Sequence, residues 1–269
     1  MIPTSGLKID GVRIEAEMYG PAPERAPTLV LLHEGLGCVA MWRDFPRLLA
    51  ERTGYGVLVY SRAGYGGSDP VRLPRPLTYM HDEALRVLPA VLDQIGINKC
   101  ILVGHSDGAS IATIYAGSRQ DFRIRGLVLM APHFFVEETT IRAIAAAKQA
   151  FETTDLRARL EKYHGANVDI AFWGWNAAWL DPGFRSWRID DYLAYIRVPM
   201  LIIQGEDDQY GTPAQVTAAD AATYCPLEAL MLDRCGHAPH VDQPKATMGT
   251  IAEFVARILA FHEGQRGVA

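Results

Sequence analysis

Along this chain, short uninterrupted apolar runs alternate with longer stretches whose apolar residues recur every three or four positions. The runs fall at 28–32, 56–60, 100–103, 126–130, 200–203 and 227–232. Runs of this length, without polar alternation, suit strands buried on both faces of a parallel sheet. Between them, 40–52 carries Met41, Phe45, Leu48 and Leu49 at helical spacing. Likewise 79–95 carries Leu85, Leu88, Val91 and Leu92. A third helix is expected over 245–262, because Pro244 ahead of it suits a helix start. At the opposite end, Leu7 to Ile14 reads as a hairpin turning on Asp10-Gly11. The alternation predicts an α/β fold: a mostly parallel central sheet with helices on both faces.

The rhythm breaks between 133 and 194. That stretch has no strand pattern and reads as several short helices, one over 141–151 and one starting at Thr154-Asp155. Trp173, Trp175, Trp179 and Trp187 fall close together within it. It is expected to be a helical cap inserted into a single domain, with the core at 1–132 and 195–269. Phe172, Trp175 and Trp179 repeat at i, i+3, i+7, one face of a helix.

Composition narrows the class. The 269 residues are 49% hydrophobic and 21% charged, which excludes a disordered chain. A net charge of −5 argues against a nucleic-acid partner and leaves no polybasic membrane patch. No apolar stretch approaches the roughly 18 residues of a membrane span, and the first eleven residues have no signal-type apolar region. Cys38, Cys100, Cys225 and Cys235 include no C-x-x-C pair. These features predict a cytoplasmic protein with reduced thiols.

The candidate chemistry begins at Gly104-His105-Ser106-Asp107-Gly108, a G-x-S-x-G pattern placed after a predicted strand and before a predicted helix. In that context Ser106 is lifted above the sheet edge, and the Asp107 N–H faces a developing oxyanion. A serine hydroxyl needs a base at neutral pH. His237, after the run at 227–232, is preferred over His240 because Gly236 gives the turn room to aim the ring. An acid must hold the base's tautomer. Asp208 in Gly205-Glu206-Asp207-Asp208 is the candidate, ahead of Asp207 and Glu206.

Together with His33-Glu34-Gly35-Leu36-Gly37 and Arg62-Ala63-Gly64-Tyr65-Gly66-Gly67-Ser68, these motifs make nearly the whole chain resemble an α/β-hydrolase fold protein with a helical cap. The order Ser106, Asp208, His237 is that of the family. The resemblance implies a second oxyanion N–H from Gly35. It also places Glu34 where the family has glycine. A structural ion pair of Glu34 with Arg62 is expected, and His33 is expected to bond within its loop.

The resemblance implies a hydrolase of a small-molecule carboxylic ester acting through an acyl-enzyme, with no metal or organic cofactor. A lactonase, a carbon–carbon bond hydrolase and a ligand-binding receptor on the same scaffold are the competing readings. Serine at the elbow argues against the dehalogenases and epoxide hydrolases that resemble this fold but carry aspartate there. The substrate pocket is expected to draw on Glu34, Met41, Trp42, Phe134, Phe172, Trp175 and Trp179.

Overall fold

The structure, a computed structural model, describes residues 7–264. The opening strands β1 (Lys8–Ile9) and β2 (Val12–Arg13) form the expected hairpin. Asp10 and Gly11 take φ of +50° and +84°, the doubly positive turn that Asp-Gly favours. β3 (Ala16–Tyr19), β4 (Thr28–Leu32), β5 (Gly56–Tyr60), β6 (Cys100–His105), β7 (Ile124–Met130), β8 (Met200–Gly205) and β9 (Leu227–Leu232) build one seven-stranded sheet, in the order β3-β5-β4-β6-β7-β8-β9. Every pairing is parallel except that of β3 with β5. The sequence pattern does not announce β3. It is a four-residue edge strand with half-exposed side chains, so it needs no apolar run.

Alternate residues of the central strands feed two cores. Val30, Leu32, Leu58, Leu102, Leu129 and Ile202 face one side of the sheet. Leu29, Leu31, Val57, Val103, Val128 and Ile203 face the other. α1 (Phe45–Thr53) and α10 (Pro244–Gly264) cover the second side. The first side is covered by α3 (Leu88–Ile95), which follows α2 (Tyr79–Asp82), and by α4 (Asp107–Ser118).

Two expected helices are interrupted, each a few residues ahead of a proline. The helix expected over 40–52 becomes a 3-10 turn, Val39–Trp42, then Arg43 at φ +52°, then α1. Pro46 has no N–H to give, so it fits only the first turn of a helix. The helix over 79–95 contains a π turn, Glu83–Val87, ahead of Pro89. Proline cannot bond the carbonyl four residues back, and that carbonyl, on Leu85, accepts instead from the Arg119 guanidinium at 3.0 Å.

Between β7 and β8 lie α5 (Glu138–Thr153), α6 (Leu156–His164) and α7 (Val168–Leu180). Beyond β8 come α8 (Ala214–Ala222) and, after β9, the short α9 (Pro239–Asp242). The chain leaves β4 toward β5 on one side and returns to β6 on the other. The loops after β4 and β6 thus diverge above the sheet, where open α/β sheets gather ligands.

Candidate active site

β6 ends at His105 and α4 begins at Asp107, so Ser106 alone makes the turn, at φ +53° and ψ −117°. A non-glycine residue in that region is strained and persists only where its surroundings dictate it. They do here. The Ser106 N–H bonds the Met130 carbonyl at 2.9 Å. A Cβ on Gly104 would stand 2.4 Å from the Gly108 carbonyl oxygen, and one on Gly108 would stand 2.0 Å from that of Leu32. Strand, turn and helix approach this closely only because both positions lack side chains.

The loops after β8 and β9 bring Asp208 and His237 to the same point. The Ser106 hydroxyl lies 2.9 Å from His237 Nε2. His237 Nδ1 lies 2.9 and 2.8 Å from the two Asp208 oxygens. Asp208 Oδ1 also accepts from the Tyr210 and Gly211 amides, and Oδ2 from the Gln204 side chain. Burial by itself would raise the Asp208 carboxyl. The bond and charge of His237, with the Tyr210 and Gln204 donors, outweigh it and hold the group down at about 2. Asp207 and Glu206 are exposed. His240 packs away from Ser106, against Trp42 at 4.8 Å and Phe45 at 5.5 Å between ring centres. A hydroxyl, an imidazole and a buried carboxylate in this chain can move a proton off the serine and hold the resulting charge.

Above Ser106 sits a cavity of about 120 Å³. Glu34, Gly35, Leu36, Asp107 and His237 border it from the core, with Trp175 and Trp179 of α7 above. Thr140 and Ile144 of α5, with His133 and Tyr210, complete the wall. Four residues expected in the pocket are elsewhere. Met41 packs instead with Cys38, Tyr65 and Ala171. Trp42 lines a separate outer groove with α1 and α10. Phe134 is sealed in the core, its N–H held by Gln215 at 2.7 Å. Phe172 stacks on Phe151 at 3.7 Å and pins α7 to α5. The aromatic face of α7 is therefore divided: Phe172 is an anchor, while Trp175 and Trp179 reach the cavity.

The loop after β4 also departs from expectation. Arg62 does not pair with the Glu34 carboxylate. Its guanidinium donates to the backbone carbonyls of His33 and Glu34, at 2.5 and 2.9 Å, and lies 3.9 Å from Asp107. Backbone oxygens in the tight loop lie nearer to it than the carboxylate does. His33 donates from Nδ1 to the Glu34 carbonyl within its own loop, as expected, but also accepts the Arg62 N–H at Nε2, which ties that loop to the one after β5. The Glu34 carboxylate faces His105 Nδ1 at 3.4 Å, an ionic contact too poorly aligned for a hydrogen bond. Burial opposes both charges, yet the pair lowers the Glu34 carboxyl and raises His105. His105 Nε2 in turn lies 2.6 Å from the His237 carbonyl, tying the β4 loop to the β9 loop.

Asp107 is fully buried, accepting from the Tyr79 hydroxyl at 2.6 Å and from Trp179 Nε1 at 3.3 Å. Burial pushes its carboxyl up, against the pull of Arg62, Tyr79 and Trp179. Gly35 lies directly beneath Trp175; a Cβ there would stand 2.2 Å from the indole.

Sequence reasoning passed over His133 and Tyr210. Both follow the carboxyl end of a strand, the position that should have flagged them. Thr140 and Ile144 carried no signal, since only packing turns that face of α5 toward Ser106. Among the described residues no group of three or more His, Cys, Asp or Glu is arranged to hold a metal ion. No helix among them is long and apolar enough to cross a membrane. Cys38, Cys100, Cys225 and Cys235 are free thiols.

The alpha/beta hydrolase family model matches residues 29–249. Epoxide hydrolase 3 of Siraitia grosvenorii is 28% identical over 167 residues, 61% of this chain and 50% of that protein. The match thus spans half of that relative's length. Proline iminopeptidase of Lactobacillus delbrueckii subsp. lactis is 25% identical over 264 residues, 84% of this chain and 88% of that protein. Among solved structures, an esterase of Rhodococcus sp. ECU1013 superposes with a TM-score of 0.72 at 20% identity, covering 94% of this chain and 98% of that one.

Proposed function

The chain belongs to the alpha/beta hydrolase family and is an enzyme, and on that premise we propose that it hydrolyses small carboxylic esters through an acyl-enzyme on Ser106. The observation that carries the reading is the unbroken chain of contacts from Ser106 Oγ through His237 to Asp208. His237 accepts the serine proton as Oγ attacks the ester carbonyl. The amides of Gly35 and Asp107, which border the cavity beside Ser106, stabilise the tetrahedral oxyanion. His237 then protonates the leaving alcohol, and a water activated the same way releases the acid. Asp208, held ionised, orients the ring and stabilises the imidazolium. The helices at 133–194 act as the cap that closes over the acyl group, since Thr140, Ile144, Trp175 and Trp179 all border the cavity.

An epoxide is disfavoured on chemical grounds. Attack by a serine oxygen would leave an alkyl ether on the enzyme, with no carbonyl for the second water to attack. The test is labelling by a fluorophosphonate together with hydrolysis of a graded series of acyl esters. Ser106 should be the labelled residue, and Ser106→Ala should abolish labelling and turnover. Labelling elsewhere, or turnover surviving in Ser106→Ala, overturns the reading.

A further inference from the structure

We infer that His133 is a specificity-determining hydrogen-bond donor of the acyl cavity, selecting small acyl groups that carry a neutral acceptor oxygen, an ether, ketone or hydroxyl. The inference rests on the ester-hydrolase reading and names its substrate class. His133 follows β7, in a segment that the fold holds firmly. Ala131 takes φ +45°, its N–H bonded to the Ile203 carbonyl at 2.9 Å. The Ser110 hydroxyl donates to the His133 carbonyl at 2.6 Å. Buried Gln215 clamps the next residues, accepting from the Phe134 amide and donating to the Phe135 carbonyl and the Glu137 carboxylate. The imidazole so delivered is 2% exposed and borders the cavity, 5.5 Å from the His237 ring and 5.2 Å from Trp179.

Neither ring nitrogen has a protein partner. Nδ1 is fully buried and unpaired. Its edge of the ring lies against Gly211: a Cβ there would be 3.3 Å from Cε1, 3.6 Å from Nδ1 and 3.9 Å from Asp208 Oδ2, and that carboxylate already takes its hydrogen bonds from His237, Gln204, Tyr210 and Gly211. A proton on Nδ1 would be a sealed donor with no acceptor in bonding geometry, and orphaned buried N–H groups are rarer than under-satisfied acceptors, so the proton is placed on Nε2. Nε2 makes no hydrogen bond and is not among the sealed atoms, and since His133 borders the cavity over Ser106 we assign this nitrogen to it. Burial also pushes the ring down to about 3, with the nearby His237 acting in the same direction, so the group is a neutral donor across the physiological range. The site thereby holds an N–H with no acceptor in the protein, inside walls of Ile144, Trp175 and Trp179. No Lys or Arg borders this cavity among the described residues, while Glu34 and Asp107 do, which disfavours a carboxylate in the acyl group. An apolar cavity of about 150 Å³ accommodates benzene. About 120 Å³ therefore suits an acyl chain of four or five non-hydrogen atoms.

Methoxyacetyl and butanoyl esters of one alcohol are near-isosteric and differ by an ether oxygen for a methylene. The measured quantity is the ratio of their kcat/KM values in wild type against that in His133→Leu, a comparison in which the esters' intrinsic reactivities cancel. The methoxyacetyl preference should fall about three- to tenfold, the worth of one neutral hydrogen bond, and His133→Gln, which keeps a donor, should recover part of it. An unchanged ratio in His133→Leu overturns the inference. A parallel arm measures binding of the two esters to Ser106→Ala protein through tryptophan fluorescence, with and without His133→Leu. If wild type hydrolyses neither ester, the ester-hydrolase reading fails, and this binding arm still decides the role of His133. Discrimination that is lost with the histidine supports that role, and discrimination that is absent or unaffected overturns it.

Discussion

Replacing Asp208 by Asn tests the site most severely, because every contact of this side chain is made to an acceptor oxygen. Oδ1 receives the amides of Tyr210 and Gly211, Oδ2 receives the Gln204 amide, and His237 Nδ1 lies within 2.9 Å of both. Whichever way an asparagine amide is turned, its NH₂ meets at least one donor. The side chain is fully sealed, so the unpaired donors cannot turn to water. One such group costs about 1–3 kcal/mol. The lost charge adds to this. A carboxyl held at about 2 rather than 3.8 contributes roughly 2–3 kcal/mol to the folded state, at about 1.36 kcal/mol per pH unit. The folded-state value is depressed, so the contribution is complete above pH 4 and disappears as pH falls toward 2. Asp208→Asn should therefore lose about 3–5 kcal/mol in urea unfolding at pH 7, with the gap to wild type narrowing below pH 4. Turnover of a small ester should fall about 10³–10⁴-fold, because His237 loses the partner that fixes its tautomer and its charge. Activity within tenfold of wild type, or a larger effect from exposed Asp207→Asn, would refute the assignment.

The Glu34–His105 pair predicts a pH-dependent stability. Lowered Glu34 contributes above its ordinary value near 4.5, and raised His105 contributes below 6.5 and fades as pH rises through its folded value. Thermal melts of Glu34→Gln should thus lie furthest below wild type near pH 6 and converge toward pH 9; a constant gap would contradict the ionic reading. Gly35→Ala should displace Trp175, since its new Cβ would stand 2.2 Å from the indole. Altered tryptophan emission and loss of ester turnover in a protein that still unfolds cooperatively are expected, and unaltered emission would count against the packing. His240→Ala should keep turnover within about threefold, while His237→Ala loses it by orders of magnitude. A reversal would mean that the wrong histidine has been assigned.

The strands and the nucleophile turn were legible for a local reason. A strand buried on both faces must be apolar throughout, and a sharp strand–helix turn needs small residues on either side of its serine. Those demands are met within a few neighbouring residues, so they mark the sequence itself. Asp208 and His237 were legible because each follows such a strand. The wrongly assigned pocket residues failed for the opposite reason. Trp42, Phe134 and Phe172 are aromatic and buried, and so is the correctly expected Trp175, so nothing local separates an anchor from a wall. That distinction depends on what stands opposite: Phe151 for Phe172, Gly35 for Trp175, and the outer groove for Trp42.

By itself, the sequence determined the six parallel strands of the sheet and the Ser106, Asp208 and His237 that meet at their carboxyl edge, since periodic burial is repeated strand after strand; the antiparallel edge strand β3 it did not announce. Tertiary structure alone decided the ion pairs and the shape of the cavity. Glu34 could meet His105 rather than Arg62 only once the loop after β4 was set beside the end of its neighbouring strand β6. His133 became an unpaired donor only because α7, the β8 loop and Gly211 closed around it. Contacts between residues far apart in the chain leave no period in the sequence. They exist only when packing has fixed which surfaces touch.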